Sequence, residues 1–597
     1  MTTTVASSTG QSFNSGDWLF RESEPAGIFS PERLSDEHRL IVKTVADFVE
    51  GEVLPSLDRL EHKDWARARA LVTRCGDLGL LGVDVAESDG GLELDKITSM
   101  LVSEQMAQSA SFGATFGAHA NLTILPLSLF GTSEQKKRYL PGLMTGELVG
   151  AYCLSEPGSG SDALGARTRA DRQDDGSFLL NGEKSWITNG GFADVFIVFG
   201  KVMENDRGHF TAFLVERAFQ GVSSGQEEHK MGLHGSSTTP VILENVRVPA
   251  GNLLGDVGKG HTIAFNVLNF GRFKLGAMCV GGARRAIGEA ARYAGQRKQF
   301  GRPIASFGAI KHKLGEMVVR TYGVESLIYR TAGLIQSRID ATARDHANPS
   351  AALSTLEEYA VEASIAKVAG SETLDFVLDE NIQIHGGNGY VTDYPAERYY
   401  RDSRVNRIFE GTNEINRLLI PGTLAHRASQ DSSGLLAAAW AARSQLPAAR
   451  AHDVSIPAGA LAPERQTVDR LKKVVLIVFG LALETYHKKL SDEQEVLMHL
   501  ADMMIDVYAS DSAVLRASVA SSNESLQIDT VRVLVNDAAI RLRTSAWQAL
   551  AIMVGGKTLN DMVPALEQEL SLAPLNTAIL RRRIADATVE RGGYLFA

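Results

Sequence analysis

Residues 152–162 read YCLSEPGSGSD and open a block whose hydrophobic pattern differs from everything on either side of it. Phe178, Leu179 and Leu180 run into the turn pair Asn181-Gly182, and VFIVF at 195–199, FLV at 213–215 and VIL at 241–243 follow. Short runs of Val, Ile and Phe set off by turn residues are the signature of strands, so residues 151–258 are expected to form a small β domain. Upstream, over 36–150, apolar residues recur at helical spacing, as in Leu40, Ile41, Val45 and Phe48, with charges on the opposite face. Downstream the same period returns over 259–428, broken by the polar stretch 341–350, which reads as a loop between helices. Composition shifts to Ala, Ser and Pro over 429–463, a linker, and long amphipathic segments resume over 464–597. Residues 1–35, rich at first in Ser, Thr and Gly, read as a mobile leader. The order is helical, β, helical and an appended helical domain: an α+β fold that is mostly α.

With 597 residues, 44% of them hydrophobic, the chain has enough apolar surface for three to four structural units. Its best apolar run, 474–483, stops far short of the roughly 18 residues needed to span a bilayer. The leader lacks the basic and apolar regions of a signal peptide, so the expected location is the cytoplasm. Cys75, Cys153 and Cys279 are odd in number and widely spaced, which fits a reducing compartment and argues against a structural metal. The net charge of −10, from 61 Lys and Arg against 71 Asp and Glu, excludes the basic excess of a nucleic-acid binder. An anionic ligand must therefore be met by a local basic site.

Five segments carry chemistry. The loop 152–162 joins glycines that allow close backbone approach to the hydroxyls of Tyr152, Ser155 and Ser161; alone, such a loop is more often a turn than a site. KSWITNG at 184–190 adds a planar ring, Trp186, and a hydroxyl, Thr188, suited to packing on a flat cofactor and bonding its edge. RKQFGRPI at 297–304 and QIHGGNGY at 383–390 set cationic or amide donors beside glycines, as a dinucleotide's pyrophosphate requires. Neither is the G-x-G-x-x-G fingerprint. RIFEGTNEI at 407–415 places Glu410 between Phe409 and Gly411, ahead of Thr412, a helix cap. Alone, such a glutamate is more often a solvated charge.

In this order and at these spacings the five segments resemble the acyl-CoA dehydrogenase family over about residues 36–425. The tail from Glu464, closing in VERGG at 589–593, resembles the extra helical domain of that family's very-long-chain branch. The resemblance implies a barrel-like central domain, a four-helix-bundle C-terminal domain and FAD as cofactor. It places Tyr152, Ser155, Ser161 and Thr188 among the cofactor-binding residues, with Trp186 behind the flavin ring. Arg297, Phe300, Gln383 and Gly387 would reach the FAD of a neighbouring subunit, and Thr412 and Glu414 that of their own, which implies an obligate oligomer; by the same resemblance the extra domain stands where a tetrameric relative would place another pair of subunits, which points to a homodimer. Ser161, Asn269 and Arg272 would meet the CoA moiety, Arg272 as a phosphate-directed cation, and Phe409 the substrate. Glu410, buried against Phe409, flavin and acyl chain, would have the raised pKa of a base working near neutral pH. It would take the α-proton of a fatty acyl-CoA as a hydride leaves the β-carbon, giving a trans-2-enoyl-CoA, the first step of fatty acid β-oxidation. Relatives with the base on another helix carry it where Gly271 stands here, so Glu410 has no competitor. Electron-transfer flavoprotein is the implied acceptor.

In SFGATFGA at 111–118, Gly113 and Gly117 are four apart and share a helix face. By the resemblance this helix floors the acyl pocket, and two missing side chains deepen it for long-chain substrates; the alternative is close helix packing. Other functional alternatives are a flavoprotein assembly scaffold and an acyl-CoA oxidase. The Ala-rich stretch 435–449, with Trp440 and Arg443, reads as a mobile linker, with peripheral membrane contact as the alternative. Arg398, Arg401, Arg404 and Arg407 read as a salt-bridged or solvated helix face. His119 and His385 lack partners at ligand spacing, so no metal is expected.

Overall fold

A computed structural model describes residues 13–344, 350–430, 434–446, 459–519 and 524–596. The N-terminal helices are α1 (Asp36–Phe48), α2 (Trp65–Asp77), α3 (Lys96–Met106), α4 (Ala110–His119) and α5 (Ser133–Thr145). Each begins on a side chain that accepts an amide of its first turn: Ser35, Asp64, Asp95, Ser109 and Thr132 in turn.

Eight strands follow: β1 (Gly150–Cys153), β2 (Arg169–Arg172), β3 (Phe178–Thr188), β4 (Val195–Glu204), β5 (Arg207–Glu216), β6 (Val222–Ser224), β7 (Thr238–Val248) and β8 (Leu253–Leu254). They form one sheet in the order β6-β7-β3-β2-β4-β5-β8, with β1 parallel to β4. The sheet is open and not the barrel-like form expected, because its two ends are strands of three and two residues that do not pair with each other. Asn181-Gly182 is also not a turn. It lies within β3, where the register against β7 slips. A Cβ on Gly182 would sit 2.5 Å from Thr168 Oγ1, so the close approach of β2 requires glycine there.

Four long helices form the next layer: α6 (Gly260–Gln296), α7 (Gly308–Arg344), α8 (Ala360–His385) and α9 (Asn413–Ser429). The loop expected at 341–350 starts later, since α7 runs on to Arg344; residues 345–349 lie outside the described residues. Then come α10 (Leu435–Ser444), α11 (Ala462–Tyr486), α12 (Gln494–Ala517), α13 (Glu524–Met553), α14 (Gly556–Glu569) and α15 (Thr577–Arg591). The apolar run of α11 is buried in the same core as Phe270 and Ile420, so the appended helices share a hydrophobic interior with the preceding four. No described helix is long and apolar enough to cross a membrane.

Two segments differ from expectation. The leader is anchored from residue 13 onward: Trp18 and Leu19 are fully buried, and the indole Nε1 donates to Glu362 Oε1 at 2.8 Å. One buried apolar pair within a polar stretch outweighs its composition. Residues 1–12 lie outside the described residues. Within the expected linker, α10 is packed on α11 through Ala439, whose Cβ is 3.1 Å from where a Gly480 side chain would begin. Its apolar face is thus taken up internally, and residues 447–458 lie outside the described residues.

Candidate active site

The chain reverses direction just before α9. Glu410 and Gly411 both adopt left-handed backbone, with φ 58° and 78°. For a glutamate this costs about 1–3 kcal/mol and persists only where the surroundings enforce it. Three side chains do so by donating to the loop's carbonyls. Arg272 Nε reaches Glu410 O at 3.0 Å, Lys367 Nζ reaches Gly411 O at 2.8 Å, and Asn416 Nδ2 reaches Gly411 O at 2.9 Å and Thr412 O at 3.0 Å. Thr412 then caps α9 by accepting from Ile415 N at 3.2 Å. Lys367 also donates to Asn413 Oδ1, at 2.6 Å, so both ends of the reversal are tied to α8.

The Glu410 side chain lines an elongated cavity, and its Oε2 is buried with no hydrogen-bond partner. Loss of hydration pushes its pKa up to about 7, against the opposing pull of the Arg272 and Lys367 cations. Burial also brings the Lys367 ammonium down to about 8. Tyr152 Oη is a second buried atom without a partner, and burial together with the Glu410 charge holds the phenol protonated. Gly271 is needed opposite the carboxylate, because a Cβ there would lie 3.0 Å from Glu410 Oε2.

The cavity has a volume of about 140 Å³ and runs along α6, which presents Gly271, Lys274, Leu275, Met278, Gly282 and Arg285 to it. At 1.5 Å per residue, the fourteen-residue step from Gly271 to Arg285 spans about 21 Å. Helix α4 forms the opposite wall and runs the other way. Asn121, just beyond α4, accepts from Lys274 at 2.7 Å, a Gly113 side chain would begin 3.3 Å from Met278 Cε, and Gln108 accepts from Arg285 at 3.2 Å. Gly113 and Gly117 both line the cavity, as side wall and not as floor.

Of the residues singled out in the sequence, Thr188, Phe409, Glu410, Gly113 and Gly117 line this one cavity. Asn269 and Arg272 lie behind Glu410, where Arg272 Nη1 donates to Asn269 Oδ1 at 2.9 Å. Arg272 is 7% exposed and is engaged on the Glu410 loop through its Nε. Ser155 O accepts from Ser185 N at 2.9 Å, which joins the 152–162 loop to β3 beside Trp186. Trp186 has φ 63° and an indole left 64% exposed. Ser161 and Glu414 are exposed, as are Arg297, Gln383, Gly387 and Phe300, and none of these lines the cavity. Lys367, Asn416 and Asn413 had no signal in the sequence, since nothing in a helical pattern marks which polar side chain meets a distant loop. His119 is structural: Gly150 N donates to its Nδ1 at 2.9 Å. Arg398, Arg401 and Arg407 each meet a carboxylate, and no metal-holding cluster occurs among the described residues.

Family models described as acyl-CoA dehydrogenase N-terminal, middle and C-terminal domains match residues 35–147, 151–246 and 258–424. A further acyl-CoA dehydrogenase C-terminal domain model matches 470–568. The chain belongs to the acyl-CoA dehydrogenase family. It is 43% identical to a probable acyl-CoA dehydrogenase of Bacillus subtilis (strain 168), over 97% of this chain and 98% of that one. Identity to the human mitochondrial very long-chain specific acyl-CoA dehydrogenase is 35%, over 85% of this chain and 80% of that one. The crystal structure of an acyl-CoA dehydrogenase complexed with FAD from Bacillus anthracis matches with a TM-score of 0.94 at 44% identity, covering 98% of this chain and all of that one. Among acyl-CoA dehydrogenases this chain is thus of the longer kind, with a second C-terminal match after the three-domain body.

Proposed function

We propose that this chain catalyses FAD-dependent α,β-dehydrogenation of long-chain fatty acyl-CoA to trans-2-enoyl-CoA, the first step of fatty acid β-oxidation, with Glu410 as the base. The observation that carries the reading is a buried, partnerless carboxylate oxygen at one end of a mainly apolar cavity that follows α6 for about 21 Å. At neutral pH a carboxyl with a pKa of about 7 holds a useful carboxylate fraction and still drives proton removal. The clamp of Arg272, Lys367 and Asn416 holds this base in place before substrate arrives. Gly271 keeps the space beside it clear. We assign the Glu410 N–H to the thioester oxygen, where negative charge develops as the α-proton leaves.

The residues present fit FAD. Tyr152 offers an unpartnered buried hydroxyl, Ser155 and Thr188 add hydroxyls beside it, and Trp186 holds an indole out from a strand on left-handed backbone. When bound, FAD supplies the acceptor for the β-hydride. Thr412 and Glu414 fall to the cofactor of the same subunit. Phe300 is 92% exposed on left-handed backbone, and such a ring fits contact with a second subunit. With Arg297, Gln383 and Gly387 it is assigned to the partner's FAD in a homodimer, and electron-transfer flavoprotein is the proposed acceptor.

Chain length follows from cavity length. An extended alkyl chain with bonds of about 1.5 Å advances about 1.25 Å per carbon, so about 21 Å holds roughly seventeen carbons beyond the reacting end. Turnover of saturated acyl-CoA from C4 to C20, with the product identified by mass and absorbance, tests this. The expected optimum is C16 to C18; a maximum at C4 to C8 overturns the long-chain assignment, and stoichiometric peroxide without added acceptor would make the enzyme an oxidase.

A further inference from the structure

Beyond Lys274, which is paired with Asp84 and Asn121, the stripe that α6 presents to the cavity is small or apolar at Leu275, Met278 and Gly282, and then ends on Arg285. There Arg285 Nη1 donates to Glu50 Oε1 at 2.7 Å and to Gln108 Oε1 at 3.2 Å, and Nε donates to Tyr399 Oη at 3.2 Å. Gln108 and Arg285 also line a second cavity, of about 940 Å³, whose other walls include Glu32, Arg284 and Phe596. The same two side chains therefore stand between two voids, one apolar and one polar.

We infer that Arg285 and Gln108 form a polar gate across the far end of the acyl cavity, and that this gate sets the longest acyl chain the enzyme accepts. The inference rests on the long-chain reading above and adds the residues that bound it. A chain whose last methyl stops short of the gate leaves every hydrogen bond of the cluster intact. A longer chain must separate Arg285 from Gln108 to pass, breaking a part-buried hydrogen bond and setting its polar groups against hydrocarbon. The outer anchor, Glu50, sits on a single π-helical turn (Val49–Val53) with its side chain 58% exposed, so the gate is braced from its solvent side. The glycines of α4 widen the cavity midway and leave its length unchanged.

The test compares kcat/KM for saturated acyl-CoA from C12 to C26 with the holoenzyme of the wild type, Gln108→Ala and Arg285→Met. Gln108→Ala removes one leaf of the gate and leaves the ion pair of Arg285 in place, which guards against a variant that merely fails to fold. The wild type should fall away beyond about C18 to C20. In both variants the fall should move up by four carbons or more, raising kcat/KM on C24 at least about tenfold, since each newly buried CH₂ is a factor of about four. Gly282→Leu, one turn before the gate, should lower the ceiling. Variants that turn over palmitoyl-CoA as the wild type does and keep its ceiling overturn the gate alone. A wild type inactive on every chain from C12 upward overturns the long-chain reading and the gate with it.

Discussion

Glu410 is held in a backbone conformation that glutamate disfavours, and two of the three donors that hold it, Arg272 and Lys367, are also part of its electrostatics. Burial raises its pKa to about 7, while Arg272 and Lys367 pull the other way. A base must be ionised, so kcat/KM should fall as pH drops through about 7 and level off above it. Lys367→Met removes one of the opposing cations and one loop hydrogen bond; the acid limb should move to higher pH by about one unit, whereas Lys367→Arg should leave it near the wild-type position. A limb unmoved in Lys367→Met would show that the ammonium acts on the loop alone. Stability follows the same shift. The folded pKa of about 7 lies above the ordinary 4.5, so protonated Glu410 favours the fold below pH 4.5 and that contribution is lost as pH rises through 7. Glu410→Gln should therefore unfold at a higher temperature than the wild type at pH 8, by on the order of 1 kcal/mol allowing for its partial exposure, with little difference at pH 4.5. Glu410 was legible only through the five-segment resemblance, since alone a carboxylate between an aromatic ring and a glycine is more often a solvated charge. Lys367 and Asn416 left no mark at all, and neither did the hold of Arg272 on the Glu410 loop, because a cation's partner across 138 positions is set by helix packing.

At the scale of elements, the alternation of periods separated helices from strands, and the helices that build the cavity were legible as amphipathic segments. What the periods could not tell was register. Asn181-Gly182 has turn chemistry yet sits inside β3, because close approach of Thr168 needs a missing side chain as much as a turn does. Gly113 and Gly117 were legible as a bare helix face, but only the antiparallel fit of α4 on α6 makes that face a side wall. Gly113→Leu would add side-chain volume where a Cβ already lies 3.3 Å from Met278 Cε. It should lower kcat/KM for palmitoyl-CoA by about tenfold or more while changing octanoyl-CoA less than about threefold, since a block midway strips roughly two to three CH₂ contacts from the longer chain. Equal losses on both substrates would place the glycines in packing and not in specificity.

Across the whole molecule, the appended helices are fastened to the catalytic body by buried charge as well as by apolar contact. Arg516 of α12 and Glu325 of α7 are fully buried and paired, and Glu325 also meets Arg284 of α6, which in turn meets Glu104 of α3. Removing Arg516 strips the buried Glu325 of one of its two cations, and breaking such a buried pair costs up to about 3–5 kcal/mol. Arg516→Met should lower the first thermal transition and increase protease cleavage between the body and the tail; an unchanged melting curve would show the network to be neutral. That the tail is helical was plain from its periodicity, while its fusion into the same core was not, since a linker-like composition at 429–463 concealed the packed helix α10.

The central claim is that Glu410 removes the α-proton of a long-chain acyl-CoA at the head of this cavity. The direct test mixes FAD-loaded protein with palmitoyl-CoA in the absence of oxygen and follows the visible flavin spectrum for the wild type and Glu410→Gln. The wild type should bleach, and the variant, still folded and still yellow, should bleach about 10²–10⁴-fold more slowly. Bleaching at equal rates in both proteins would remove Glu410 as the base, and a wild-type flavin that no acyl-CoA bleaches would contradict the account.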